Sequence, residues 1–291
     1  MKFIVYGAGA LGSLFGGLLS RCHNVLLIGR EEHINAIFKH GLKIEGITNE
    51  IFYPNVEWDG SNYDLMILTV KAYDTEKAME QAIKKFGVMP VLSLQNGLRN
   101  EDIIEKFVGR ENTIGGVTSH GVTFISPGKI KHAGKGVTII GGIGKNEMVE
   151  NIANAFNECG IETKVSKNIK KEIWRKTIIN SAINSLTTIL KCKNGELIKY
   201  ENLIKKICSE GMEVAKIEGY SINDAFEKTM HVITNTKNNY SSMLQDIMNK
   251  KRTEINEING EISRIAELHG IHACYNSVLT EIIKEMENVG T

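Results

Sequence analysis

The sequence predicts an N-terminal α/β domain, a doubly wound and mostly parallel sheet, followed by an all-α C-terminal domain. Three observations carry the prediction. A glycine-rich turn, Gly7–Gly12, directly follows the first strand pattern. Short apolar runs then alternate with helical patterns as far as Thr118, the rhythm of βαβ units. Beyond about Lys164 the strand signal disappears and the chain reads as successive helices, with no proline after Pro127.

Lys2–Tyr6 is a buried-strand run, and the glycine turn leads into a helix near Ala10–Ser20. Asn24–Ile28 reads as a second strand and Glu31–Lys39 as a helix. Asp64–Val70 is a central strand, Thr75–Lys85 a helix, Val91–Leu94 a strand and Thr113–Thr118 another. Between Gly121 and Gly142 short strands with turns at Pro127-Gly128 and Gly134 predict an antiparallel extension of the sheet. Helices are expected over Lys171–Leu190, Leu203–Gly219, Asp224–Thr234, Ile255–His269 and Asn276–Glu287. The expected domains are therefore 1–166 and 167–291.

A chain of 291 residues accommodates two domains of ordinary size. It can bury about 75% of the surface its unfolded form exposes, so it needs no disulfide or metal staple. With 42% hydrophobic and 24% charged residues the composition is that of a globular protein. A formal charge of +1 excludes the broad basic footprint of a nucleic-acid binder but leaves room for a local anion site. Five scattered cysteines without a CxxC pair read as reduced thiols of an intracellular protein. The glycines break the N-terminal apolar run, and no other stretch approaches the ~18 apolar residues of a membrane span. The expectation is a cytoplasmic protein without membrane or nucleic-acid partners and without a bound metal.

Gly7-Ala8-Gly9-Ala10-Leu11-Gly12 fits GxGxxG between a strand and a helix, the Rossmann-type dinucleotide context. Gly7 would permit the tight turn, Gly9 the approach of a pyrophosphate, and Gly12 close packing of helix on strand. The helix N-terminus would offer free N–H groups to the anion. Where an NAD site usually places an acid after the second strand, this chain has Arg30, which suits a 2′-phosphate and favours NADP(H). An ordinary helix-start residue beside Glu31 and Glu32 is the alternative. Lys71, ending the central strand, is a second candidate at the carboxyl edge of the sheet.

The helix Trp174–Leu186 carries Lys176, Asn180 and Asn184 at i, i+4, i+8. Each step of four residues turns the side chain by only about 40°, so the three share one face. On a largely apolar helix they predict a substrate groove with one cationic acid and two amide anchors, a solvated polar stripe being the alternative. Asn239–Asp246 reads as a capped helix start, Asn194-Gly195 as a turn or helix C-cap.

Several ordered motifs together resemble the ketopantoate reductase family over nearly the full length. They are GAGALG, Arg30, Lys71, SLQNG with Asn96, TSHG with His120, WRKTIINSAINSL, KNGEL with Asn194, SSMLQD with Ser242, and RTEINEING with Glu254. The resemblance implies NADPH-dependent reduction of 2-dehydropantoate to (R)-pantoate, on the route to coenzyme A. It places the proton donor on Lys176 and a second catalytic group on Glu254. It puts substrate anchors on Asn96, Asn180, Asn184, Asn194, Asn239 and Ser242. Cofactor contacts are implied for Gly7, Ala8, Gly9, Ala10, Leu11, Gly12, Arg30, Lys71, Asn96, Val122 and Glu254. The expected partner is a small 2-keto acid, with homodimerisation through the helical domain.

One departure stands out. The family usually carries Thr-Pro-x-Asn before its C-terminal helix, whereas this chain has Ala273-Cys274-Tyr275-Asn276, predicting a looser helix start. Three rival readings follow from the same residues. A β-hydroxyacid dehydrogenase shares the two-domain plan and the Lys-x₃-Asn helix, but its usual Ser-Gly-Gly loop is replaced here by Thr118-Ser119-His120-Gly121. A non-catalytic NADPH sensor would not need Lys176 and Glu254 together. A reductase of another branched 2-keto acid is the third option.

Overall fold

The computed structural model describes residues 1–289; Gly290 and Thr291, assigned above to the C-terminal domain, lie outside the described residues. The chain divides into two compact units. One comprises Met1–Gln95 and Arg99–Ile169, the other Asn96–Leu98 and Lys170 onward. The division falls three residues later than the sequence suggested, and the short segment after Gln95 belongs with the helices.

The first unit is built on a seven-stranded sheet. Its strands are β1 (Lys2–Tyr6), β2 (Asn24–Ile28), β5 (Leu65–Leu68), β6 (Val91–Ser93), β7 (Thr113–Thr118), β10 (Thr138–Gly142) and β11 (Thr163–Val165). The spatial order is β11-β10-β7-β6-β5-β1-β2, and only the β7–β10 pair is antiparallel. The order reverses at β1, which lies between β2 and β5, so the crevice at the carboxyl ends of β1 and β5 is a topological switch point. The central strands carry continuous apolar runs because helices cover both faces.

A second sheet of four strands, in the order β4-β3-β9-β8, is formed by β3 (Leu42–Gly46), β4 (Glu50–Phe52), β8 (Gly121–Ser126) and β9 (Lys129–Gly134). The expected antiparallel extension is thus corrected. Only β10 joins the main sheet, while β8 and β9 leave it as a hairpin whose β9 pairs with β3. Helix α1 (Ala10–Leu19) packs on both sheets, which explains its apolar composition all round. A Cβ on Gly16 would stand 2.4 Å from Leu27 of β2, and one on Gly17 2.9 Å from Ile44 of β3. Leu14 and Phe15 are fully buried on this helix, each worth roughly 2–3 kcal/mol of burial. The unit also contains α2 (Glu31–His40), α3 (Thr75–Phe86), and two helices the sequence reading did not name, α4 (Asn100–Val108) and α5 (Met148–Glu158).

The second unit consists of α6 (Ile169–Leu190), α7 (Glu201–Ile217), α8 (Ala225–Asn235), α9 (Ser242–Met248), α10 (Glu261–Leu268) and α11 (Cys274–Val289), α6 taking its first residue from the end of the other unit. The expected helix from Ile255 to His269 is instead a wide π turn, Asn256–Gly260, running into α10. Trp174, Ile178, Ala182, Ile207 and Ile262 centre the core. Buried hydroxyls along α6 are satisfied by their own helix: Ser185 donates to a Ser181 carbonyl and Thr188 to that of Asn184. No helix among the described residues is long and apolar enough to cross a membrane.

The start of α11 is not loose. Glu210 of α7 accepts the backbone N–H of Tyr275 at 2.9 Å and that of Asn276 at 3.0 Å, and also Asn276 Nδ2 at 2.9 Å. A carboxylate on the first turn satisfies orphan donors and complements the helix dipole. The helix start is therefore held by a neighbouring helix, and Cys274 stands at the first helical position without the preset φ of proline.

Candidate active site

The glycine loop sits at the switch point. Gly7 has φ +111°, and a Cβ there would lie 2.5 Å from the Val70 backbone nitrogen. Gly12 faces inward: its Cβ would meet the Gly7 carbonyl at 2.4 Å and Thr69 Oγ1 at 2.5 Å. Thr69 buttresses the turn by donating to the Gly7 carbonyl at 2.8 Å. Gly9 differs, since a Cβ there would find only the Gly7 carbonyl, at 3.9 Å. The space before Gly9 is open, so nothing within the protein demands glycine there, whereas a pyrophosphate approaching the backbone would. Gly9 is also the N-cap of α1, with no side-chain cap and no acid in the first turn. Ala10 and Leu11 begin that helix, and Ala8 packs its Cβ direction against Gly29. These residues fit the phosphates of a dinucleotide.

Arg30 is exposed, is the N-cap of α2, and holds its guanidinium 5.6 Å from the centre of the Phe124 ring. Glu31 and Glu32 occupy the first turn of α2, where they serve the helix dipole. Lys71 precedes a short 3-10 turn, Ala72–Asp74, beyond β5, one residue past the Val70 nitrogen that touches Gly7. Val122 lies half-buried in β8 against the first unit's core.

Spacing gave no hint of His33, which holds this region together. Gly128 N–H donates to its Nδ1 at 2.9 Å, which assigns the ring proton to Nε2, 2.8 Å from Ser13 Oγ. Burial, and then the Arg30 charge, push His33 down to about 4. His120 of the TSHG motif is likewise an acceptor at Nδ1, from Gly136 N–H at 3.3 Å. Its contact with His132 Nε2 at 3.1 Å then requires His132 to donate, leaving His132 Nδ1 to accept from Thr48. Burial lowers both rings, His120 to about 4.

In the second unit, Lys176 and Asn180 are half-buried and Asn184 is buried along α6. Asn180 Nδ2 points to Asn96 Oδ1 at 3.5 Å, and Asn96 Nδ2 donates to Glu254 Oε2 at 3.1 Å. Three residues from distant parts of the sequence thus form one chain, Asn180–Asn96–Glu254. Glu254 is only 5% exposed and opens into the π turn, a distortion frequent at functional sites.

Asn194 and Asn239 form a second group. Asn194 N–H donates to the Asn239 carbonyl at 3.0 Å, and its Nδ2 to Thr236 Oγ1 at 2.8 Å, while its buried Oδ1 has no partner among the described residues. Asn194 opens a short 3-10 helix, Asn194–Tyr200, rather than capping the preceding one. Ser241, not Ser242, caps α9: its Oγ accepts from Leu244 N–H at 3.2 Å and from Thr187 of α6 at 2.7 Å. Ser242 is exposed at the first helical position. The Ser241–Thr187 bond sets this helix start about one turn beyond Asn184 on α6.

This fold and polar helix face define a class, an oxidoreductase with a Rossmann-type nucleotide-binding unit. The family described as Ketopantoate reductase PanE/ApbA matches residues 3–145, and its C-terminal counterpart matches residues 168–287. The 2-dehydropantoate 2-reductase of Pyrococcus horikoshii is 42% identical over 299 residues, covering 100% of this chain and 99% of that one. The enzyme of that name from Archaeoglobus fulgidus is 34% identical, covering 98% and 97%. Among solved structures, a D-mandelate dehydrogenase with NADH and anilino(oxo)acetate superposes with a TM-score of 0.93 at 32% identity, covering 100% and 99%. A ketopantoate reductase from Ralstonia eutropha gives 0.91 at 30% identity, with the same coverage. The chain belongs to the ketopantoate reductase family.

Proposed function

We propose that the protein reduces 2-dehydropantoate to (R)-pantoate with NADPH. The observation that carries this reading is the chain Asn180–Asn96–Glu254, whose first member shares α6 with Lys176, in a member of this family. The bound cofactor supplies the hydride, which goes to the C2 carbonyl carbon of the keto acid. Lys176, an ammonium, offsets the charge that develops on the carbonyl oxygen and donates the proton there. Glu254 holds Asn96 and, as an acceptor, fixes a donor hydroxyl. Asn180 and Asn184 position the substrate's polar groups, with Asn194, Asn239 and Ser242 anchoring its far end.

The glycine loop and the α1 N-terminus hold the pyrophosphate, with Lys71 and Val122 beside the dinucleotide. Arg30, stacked on Phe124, grips a 2′-phosphate. This reading places the product on the route to coenzyme A in the cytoplasm. The likeness to a D-mandelate dehydrogenase supports a second reading, in which an aromatic 2-keto acid is reduced with NADH.

The test is NADPH oxidation over a panel of branched and aromatic 2-keto acids, for the parent and Lys176→Ala. The expected result is highest kcat/KM with 2-dehydropantoate and a fall in kcat of about 10²–10⁴-fold in the variant, with NADPH binding retained. A kcat within about threefold of the parent, with chemistry rate-limiting by deuterated cofactor, would move the acid role from Lys176. Preference for an aromatic acid would overturn the substrate.

A further inference from the structure

Cys22 and Cys159 are the only cysteines of the first unit among the described residues, and the fold brings both to one carbonyl although they are far apart in sequence. Cys159 ends α5 as its C-cap, fully buried, with its Sγ 3.7 Å from the Leu19 carbonyl. Cys22 donates its backbone N–H to that same carbonyl at 3.3 Å. Both neighbours of Cys22 are fastened to the end of α5. Arg21 Nη1 donates to the Cys159 carbonyl at 3.4 Å, and His23 Nε2 lies 3.3 Å from the Ala155 carbonyl and 3.8 Å from Glu158. The turn 21–23 is thus clamped on both sides of Cys22, which shares the Leu19 carbonyl with the Cys159 thiol.

We infer that Cys22 and Cys159 are a redox-active pair that closes to a reversible disulfide, stapling the end of α1 to the end of α5. The two thiols are unequal. Cys22 is exposed and meets solutes, while Cys159 is buried. Burial first, then the neighbouring Cys22, push the Cys159 thiol up to about 12. Cys22 is therefore the attacking group and Cys159 the resolving one. With a low-molecular-weight disulfide as oxidant, the Cys22 thiolate attacks one sulfur and expels the other as a thiolate, leaving a mixed disulfide. Cys159, losing its proton to solvent, attacks the Cys22 sulfur and expels the second thiolate. Two protein thiols are oxidised, one small disulfide is reduced to two thiols, and the two protons end on the released thiols. The staple joins chain segments separated by most of the first unit, so it restricts the unfolded chain strongly. Neither sulfur belongs to the glycine loop or to the polar face of α6, so closure acts on stability.

The experiment treats the native protein with oxidised glutathione and measures intact mass, linked peptides and unfolding temperature. The expected result is loss of two hydrogens per chain, a fall in free thiols from five to three, and a peptide joining Cys22 to Cys159. Unfolding should rise by about 5–10 °C and return with dithiothreitol. Closure should also speed up with pH, because Cys159 must ionise. Cys22→Ser should fold normally and lose the mass change and the stabilisation, and Cys159→Ala should stop at a glutathione adduct on Cys22. A persistent adduct on Cys22 in the parent, a link between chains, a disulfide using Cys192, Cys208 or Cys274, or unchanged thiols would each overturn the inference.

Discussion

Replacing Glu210 tests whether α11 is held from outside by one carboxylate. Three donors converge on it, the N–H groups of Tyr275 and Asn276 and the Asn276 amide. Asn276 is fully buried, so its abandoned backbone donor bears the full desolvation cost of about 1.5–3 kcal/mol. Tyr275 is half-buried and the Asn276 amide also reaches the Ile207 carbonyl at 3.4 Å, so these two losses are smaller, about 0.5–1 kcal/mol each. Loss of a negative charge at the helix N-terminus adds roughly 0.5 kcal/mol. Glu210→Ala should therefore cost about 3–5.5 kcal/mol in the helical unit. Glu210→Gln should cost about 2–3, because its NH₂ group would face a donor where the carboxylate now accepts.

The assay is urea unfolding followed by far-UV circular dichroism, with hydrogen exchange over Ser277–Glu281 to localise the loss, since the two units need not unfold together. Glu213→Ala, on an exposed position of the same helix, is the control. A shift below about 1 kcal/mol for Glu210→Ala, or one equal to the control, would refute the capping argument. Cys274→Pro should recover about 0.4–1 kcal/mol, because the first helical position needs no N–H and proline presets its φ.

Three further outcomes are expected. Gly12→Ala has no room between the Gly7 carbonyl and Thr69 and should lose dinucleotide binding, as read by fluorescence titration, with about 1–3 kcal/mol of stability. Arg30→Ala should weaken NADPH by about 10–100-fold and NADH little; equal efficiency with both cofactors in the parent would sink the 2′-phosphate role. His33 and His120 titrate near 4 in the fold, below the ordinary 6.5, so the unfolded chain binds more protons between those values. Their stabilisation is complete above about pH 6.5 and falls as pH drops toward 4, by about 1–2 kcal/mol each at pH 5 after allowing for partial solvent screening; urea midpoints that do not change between pH 7.5 and 5 would contradict this.

Legibility followed the range of the signal. Glycine spacing, strand–helix alternation and the Lys176–Asn180–Asn184 face are local periodicities, and each could be read directly. The bond from Asn96 to Glu254 joins residues 158 apart, so only the resemblance suggested that they act together. The second sheet escaped notice because β4 is three residues long and β3 finds its parallel partner in β9, a pairing no local pattern announces. His33 follows Glu31 and Glu32 at a helix start and no local pattern singles it out, yet it is buried between Ser13 and Gly128. Glu210 looked like one more acid on an amphipathic helix. Its role depends on where α11 begins, which is a tertiary fact.

The buried amides of the helical unit connect that helix start to the candidate site. Asn259, within the π turn, donates Nδ2 to Asn276 Oδ1 at 3.1 Å and to the Ser181 carbonyl at 3.0 Å. Ser181 follows Asn180, and the Glu254 backbone carbonyl accepts the Ile258 N–H at 3.1 Å at the entry to the same turn. Glu210, Asn276 and Asn259 therefore form a polar path that ends on α6 beside Asn180 and on the π turn beside Glu254. Apolar side chains of similar volume could fill that space, but they would not fix the rotation of the turn, since dispersion contacts are non-directional. Hydrogen bonds to a backbone carbonyl do specify rotation, and Glu254 must keep its angle toward Asn96. On this argument Asn259→Leu should leave the unit folded while lowering kcat/KM, a pattern that separates positioning from simple stability.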